Sequence, residues 1–397
     1  MRSRGSSLGR NVIALGAVSF FTDVSSEMIY PLLPVFLTAT LGASAGMLGA
    51  IEGAAETTAS LLKLASGWWS DRVRKRKPLV LAGYVLAALA RPLIAMAQTS
   101  GQVLGIRLAD RVGKGIRNSP RDALIADSVD SGVRGRAFGF HRAADHAGGV
   151  LGPLIAFALM QWYFVEIRTV FWLAAIPGAL AVLTLLAFVR EAPRADAAMD
   201  HDEAAAANAP GGKLPRSFTG YLAAVLIFTL GNSTDAFLLL RANQLGVSVA
   251  LLPVLWALLH VVKSATGTHG GALSDRIGRR PALIAGWLLY AFVYVGFAFA
   301  SAEWHAWTLF VVYGVYFALT EGPERALVAD LVPVSIRGTA FGWFHLTIGL
   351  GMLPASLLFG YIWDAQGATL AFLMGAALAL VASLWLATLS LSDGNPA

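Results

Sequence analysis

Five basic residues recur every three or four positions in the stretch RLADRVGKGIRNSPRD: Arg107, Arg111, Lys114, Arg117 and Arg121. On a helix this spacing makes one continuous basic stripe. Such a stripe binds an anion, or governs the ionisation of a carboxylate that faces it. The apolar flanks put the segment inside a bilayer, where each Arg or Lys near the centre costs about 2.5–3.5 kcal/mol even on the lenient insertion scale. The stripe therefore faces protein or a water-filled cavity. Two readings stay open: a buried ion-pair network that only holds helices together, or a site that meets a substrate or couples a proton.

The opposing acids are upstream. Asp23, Glu27, Glu52 and Glu56, with Lys63 among them, give the first two apolar segments a charge that balances the stripe with its own Asp110 and Asp122. By depth, Glu27 and Glu52 are expected near Arg107 and Arg111, and Asp23 and Glu56 near Lys114 and Arg117. Breaking a buried pair is costly although forming it gains little, which suits a gate that exchanges partners. A carboxyl left unpaired in one state can take up a proton, so these four acids are the proton candidates. Permanently paired structural acids are the competing reading.

Farther on, His141 and Asp145 stand one helical turn apart beside Arg142 and His146. With no third ligand nearby, a polar cluster facing the basic stripe is expected over a metal site. The second half is sparser in charge: Asn232, Asp235, His260, Lys263, Glu321, Glu324, Arg325 and His345. Glu321 and His260 are candidates to face a cavity. Trp256, Tyr313, Tyr316 and Phe317 read as packing residues. Gly113 and Gly115 around Lys114 would let backbone approach an anion, though no P-loop pattern is present. Pro120 should kink the helix, with its freed carbonyl facing protein or water.

These residues need elements to carry them. Of the 397 residues only 14% are charged, against about 25% in soluble domains, and the mean hydropathy is +0.64. Uncharged runs such as 169–189, 281–302 and 365–392 are long enough to cross the hydrocarbon as helices. Twelve spans can be placed, approximately at 11–38, 47–70, 78–98, 102–127, 137–162, 168–190, 218–244, 249–273, 280–300, 304–330, 338–363 and 367–391. An all-α integral membrane protein follows, with bundles at 1–190 and 218–397. The Ala-, Asp-, Pro- and Gly-rich segment 191–217 reads as a cytoplasmic linker. The segment after the basic Met1 to Arg10 contains Asp23 and Glu27 and reads as an uncleaved first span.

The net charge of +6 does not point to nucleic acid. Most basic residues outside the spans lie in even-numbered loops, at 72–77, at Arg134 and Arg136, at Arg276, Arg279 and Arg280, and at Arg337, with Arg168 the exception. By the positive-inside rule those loops and both termini are cytoplasmic. The absence of cysteine removes disulfides, thiolate metal sites and thiol catalysis. No cofactor is expected.

The halves repeat. PRDALIADSVDSGVRGRAFG from Pro120 matches PERALVADLVPVSIRGTAFG from Pro323 without a gap, and Gly67-Trp-Trp-Ser-Asp71-Arg72 matches Gly271-Ala-Leu-Ser-Asp275-Arg276. Two such matches in order indicate a duplicated six-span unit, a parallel repeat about an axis along the membrane normal. The third, sixth, ninth and twelfth spans are nearly free of charge and are expected to face lipid.

On these motifs the chain resembles the major facilitator superfamily over essentially its whole length. Gly67-x-x-x-Asp71-Arg72-x-Arg74-Lys75-Arg76 and Gly271-x-x-x-Asp275-Arg276-x-Gly278-Arg279-Arg280 look like that family's loop 2–3 motif. The first copy has Arg74 where the family usually has Gly. The resemblance implies gating roles for Gly67, Asp71, Arg72, Gly271, Asp275 and Arg276. Arg107 with Gly113 and Gly115 resembles the fourth-span motif associated with proton coupling, with Asp110 and Arg111 unusually charged for it. Gly139, Gly148, Gly152 and Pro153 are spaced like the fifth-span motif of antiporters, except that Ile155 and Ala156 replace its terminal Gly-Gly.

The expected function is a monomeric secondary transporter of a small molecule in a bacterial inner membrane. It would work by alternating access, coupled to protons and exporting. The runner-up is an importer or facilitator of an anionic solute. A membrane enzyme or a sensor is less well supported, because there is no positioned nucleophile and no sizeable soluble domain.

Overall fold

In a computed structural model, described for residues 9–72, 75–129, 134–191, 214–333 and 336–389, the protein is helical, with no strand among the described residues. Among the described residues the rods follow one another as α1 Arg10–Thr40, α2 Ala45–Arg72, α3 Lys77–Met96, α4 Ser100–Asp127, α5 Arg134–Trp162, α6 Ile167–Phe188, α7 Arg216–Gln244, α8 Leu252–Ile277, α9 Arg279–Phe299, α10 Glu303–Asp330, α11 Arg337–Gln366 and α12 Ala368–Thr388. Nine are long and apolar enough to cross a membrane by length and composition. Rods α2, α4 and α10 are not among these nine, and they carry the charges singled out above. Nearly all of the expected linker, residues 192–213, lies outside the described residues.

The contacts divide the chain into two units, Met1–Phe36 with Thr58–Asp196, and Leu37–Thr57 with Ala197–Ala397. The first half of α2 thus packs with the second unit, which the sequence does not anticipate. Small residues explain it: a Cβ at Gly53 would lie 3.0 Å from Leu353 Cα, and one at Gly360 would lie 2.6 Å from Ala45 O. Asp364 accepts hydrogen bonds from Ala45 N at 2.8 Å and Gly46 N at 2.6 Å, capping the start of α2. Thr57 Oγ1 donates to Gly349 O at 2.7 Å.

In the first unit, α4 lies against α3, where a Cβ on Gly113 would fall 2.6 Å from Gly83 O. The Gly-Lys-Gly step therefore serves helix packing and leaves no room there for an anion. Gly115 likewise faces Ala59 and Leu62 of α2. Rod α4 runs on through Pro120, and its start is closed by a Thr99–Gln102 capping box. Gly148 and Gly152 of α5 face the α1 backbone between Phe20 and Glu27, so the antiporter-like glycines bring α5 onto the acid-bearing turn of α1. In the second unit Gly286 of α9 meets Thr320 of α10, the repeat partners of Gly83 and Arg117.

Exposed apolar side chains occur on the four rods expected to face lipid, and α5 and α11 carry as many per rod. They include Leu89 and Met96 on α3, Ile176 and Leu183 on α6, Phe292 and Phe299 on α9, and Leu384 and Trp385 on α12. Rod α3 is two-faced, because Arg91 is buried at 4% exposure.

Candidate functional site: a buried charge network in the first unit

The basic stripe does not act as one surface. Arg107, Arg111 and Arg117 are buried, whereas Lys114 and Arg121 are only partly so. The buried residues of α4, from Val103 through Leu124, define the side that turns into its bundle. Asp110, at 1% exposure, sits among the arginines as their shared anion. Its Oδ1 is 2.9 Å from Arg91 Nε, and its Oδ2 is 3.6 Å from Arg107 Nη1 and 3.9 Å from Arg111 Nη1. Arg91 also donates from Nη1 to Thr22 O at 2.8 Å, which ties α3 and α4 to α1. The sequence points to α1 and α2 for the counter-charge and expects the third span, which carries Arg91, to face lipid. In the structure an acid of the same helix and a base of α3 form the core of the network. Glu27, Glu52 and Glu56 also have interaction partners in the fold.

Arg117 lies with its guanidinium carbon 4.5 Å from the centroid of the Tyr84 ring. Its Nε and Nη1, and the Tyr84 hydroxyl, are buried without a hydrogen-bond partner among the described residues. Arg121 turns instead to its neighbour Asp122, 2.8 Å away.

Asp23 is the acid of α1 that this network acts on. Gly148 of α5 packs against its Cβ, and the carbonyl of its neighbour Thr22 accepts from Arg91. Asp145 accepts a hydrogen bond from Ser19 Oγ and lies 3.5 Å from His141 Nδ1. The structure thus gathers Asp23, Asp145 and His141 on facing turns of α1 and α5, beside the Arg91–Asp110 pair. Glu52 and Glu56 belong to the part of α2 that packs with the second unit.

Of the gating candidates, the side chains of Gly67, Asp71 and Arg72, together with residue Arg74, lie outside what the structure describes. In the second copy Arg279 spans Asp275, 2.9 Å from Nη1, and Asp330, 2.7 Å from Nε. Gly278 supplies the positive φ of +95° at the turn, and Arg276 is exposed. The repeat-related pair in the first unit is Arg76 with Asp127. Glu191 accepts from the N–H groups of Arg76 and Lys77 at the start of α3, at 2.8 and 3.0 Å.

Comparison with known proteins decides the family. The Major Facilitator Superfamily model matches residues 15–323 and again 220–397. The chain belongs to the major facilitator superfamily. A facilitator relative from Methanocaldococcus jannaschii, an uncharacterized MFS-type transporter, is 34% identical over 96% of this chain and 94% of its own. Multidrug resistance protein MdtG of Enterobacter lignolyticus is 25% identical over 94% of this chain and 90% of its own. Among solved structures, the inward-facing, occupied bacterial homolog of the human lysosomal transporter Spinster has a TM-score of 0.74 at 17% identity, covering 96% of both chains. It shares the fold. As a superfamily member the chain is a membrane transporter and not an enzyme, and the acids and bases above are its binding, coupling or structural groups.

Proposed function

We propose that the chain exports a small molecule across a bacterial inner membrane in exchange for protons, by alternating access, acting as a monomer with both termini cytoplasmic. The observation that carries this reading is the place of Asp23, packed against Gly148 of α5 near Asp145 and next to the Thr22 carbonyl that binds Arg91. A carboxyl so placed is held ionised when the arginines dominate, and favours the proton when Asp145 and Glu27 dominate. Small movements of α1 against α4 and α5 would therefore exchange a proton. The multidrug resistance relative supports export. The basic even-numbered loops support the orientation.

The test is ligand-induced proton release. A compound that raises the melting temperature of the purified protein is added in weakly buffered detergent solution with a pH indicator. Wild type should release protons on binding, and Asp23→Asn should bind without release. Equal release from both would remove Asp23 from the coupling role.

One observation favours the second reading, a carrier of an anionic solute. Arg117 Nε and Nη1 and Tyr84 OH form a buried group of donors without hydrogen-bond acceptors among the described residues. An organic anion whose stabilising effect disappears in Arg117→Gln would select that reading.

A further inference from the structure

The second unit carries a different chemistry at the equivalent place. Thr22-Asp23 of α1 recurs as Thr234-Asp235 in α7, and α7 is interrupted there, helical over Arg216–Gly231 and again over Ala236–Gln244. An interrupted helix at membrane depth is tolerated where its backbone is satisfied by protein or lines a cavity. Three tyrosines of α9 and α10 meet the interruption. Tyr290 OH donates to Gly231 O at 3.1 Å, Tyr294 OH lies 3.4 Å from Ser233 Oγ, and Tyr313 OH donates to Asp235 Oδ1 at 2.6 Å.

Next to it, Lys263 of α8 places its Nζ 2.6 Å from Glu321 Oε1 and 4.0 Å from the centroid of the Phe317 ring. Lys263 and Glu56 are the charges that act on Asp235. At the repeat positions where α4 has Arg107, Asp110 and Lys114, α10 has Phe310, Tyr313 and Phe317. The duplicated helix has exchanged charges for rings.

We infer that Glu321, Phe317 and Asp235 form a seat for the protonated amine of an aromatic or lipophilic cation, and that Lys263 fills this seat with its own ammonium until the substrate displaces it. A carboxylate on one side and a ring face on the other is the environment that attracts a desolvated ammonium. Here the protein shows the fit with a primary ammonium of its own. A carboxylate and a ring face around an ammonium suit a cation and not an anion. The four-carbon stem of Lys263 lets its ammonium withdraw. Side-chain exposures of 20% for Lys263 and 43% for Glu321 leave the seat open to an entering molecule.

The inference names a substrate class for the exporter proposed above and rests on that reading only for its purpose. Its test uses no proton gradient and no Asp23 variant, so the two can fail separately. Phenethylamine and the anion 3-phenylpropionate, similar in shape, are titrated into the detergent-purified full-length protein, with melting followed by tryptophan fluorescence. Phenethylamine should stabilise wild type saturably, and 3-phenylpropionate should not. Glu321→Gln should weaken amine binding by about tenfold or more, the loss of one charge-assisted hydrogen bond. Lys263→Met should tighten it, because the internal competitor is gone. A damaged fold cannot mimic that gain. The proposal is overturned if neither wild type nor Lys263→Met binds the amine. It is equally overturned if both variants bind it as wild type does, or if 3-phenylpropionate binds and Lys263→Met abolishes that binding.

Discussion

Replacing Asp110 by asparagine tests whether the charge network of the first unit is one unit. Asp110 is 1% exposed and faces Arg91 at 2.9 Å, Arg107 at 3.6 Å and Arg111 at 3.9 Å. The amide keeps the shape and removes the charge, so three guanidiniums lose their shared anion in a dry interior. Breaking a buried pair by neutralising one partner costs about 3–5 kcal/mol. The cost here should fall in the upper part of that range, because the remaining cations also repel one another. Arg91→Met should cost less, since it leaves Asp110 two other arginines. The double variant should then be milder than the sum of the singles by more than about 1 kcal/mol, as expected for residues in one network. The protein has no cysteine for thiol-reactive melting dyes, and its 11 tryptophans supply the signal instead. Equilibrium unfolding of purified wild type, singles and double would be compared in a single detergent. Additivity within about 0.5 kcal/mol, or an Asp110→Asn variant as stable as wild type, would refute the shared-anion account.

Four further outcomes follow from the packing. Gly113→Val should destabilise strongly, at the upper end of the roughly 1–3 kcal/mol typical of overpacking, because its Cβ would lie 2.6 Å from Gly83 O. Gly105→Ala, with nothing within 4 Å, should melt like wild type. Tyr84→Phe removes a buried hydroxyl that has no partner while keeping the ring under Arg117, so its melting temperature should be unchanged or higher. Asp364→Ala deprives the Ala45 and Gly46 N–H groups of their cap. It should cost about 1 kcal/mol and speed proteolysis at the loop before α2.

The rods and the repeat were legible because each is carried by local pattern, hydropathy in the one and a gap-free match in the other; the fifth-span glycines showed only a motif-like spacing, and their packing on α1 came from the structure. Partner choice was not. That Asp110, on the same helix, lies among Arg91, Arg107 and Arg111 depends on the rotation of α4 against its neighbours, and spacing along one helix does not report that angle. Asp110 looked like one term in a charge balance, and Arg91 like a stray charge on a lipid-facing span. Both are buried at the centre of the network. The glycines around Lys114 suggested an anion site, yet their absent side chains admit α3 and α2. In the second unit the doubled Thr-Asp was visible at 22–23 and 234–235, but so short a match carries little weight until Tyr313 is seen on Asp235. The association of the first half of α2 with α11 depends on tertiary contacts between residues far apart in sequence, and nothing local announces it.

The central claim, that Asp23 carries the proton exchanged for substrate, is met most directly in everted membrane vesicles. Respiration acidifies the vesicle interior, and an acridine dye reports the gradient by quenching. Adding a compound already shown to stabilise the purified protein should restore fluorescence in vesicles containing wild type. It should restore none with Asp23→Asn, although that variant still binds the compound. Equal recovery in both would contradict the account.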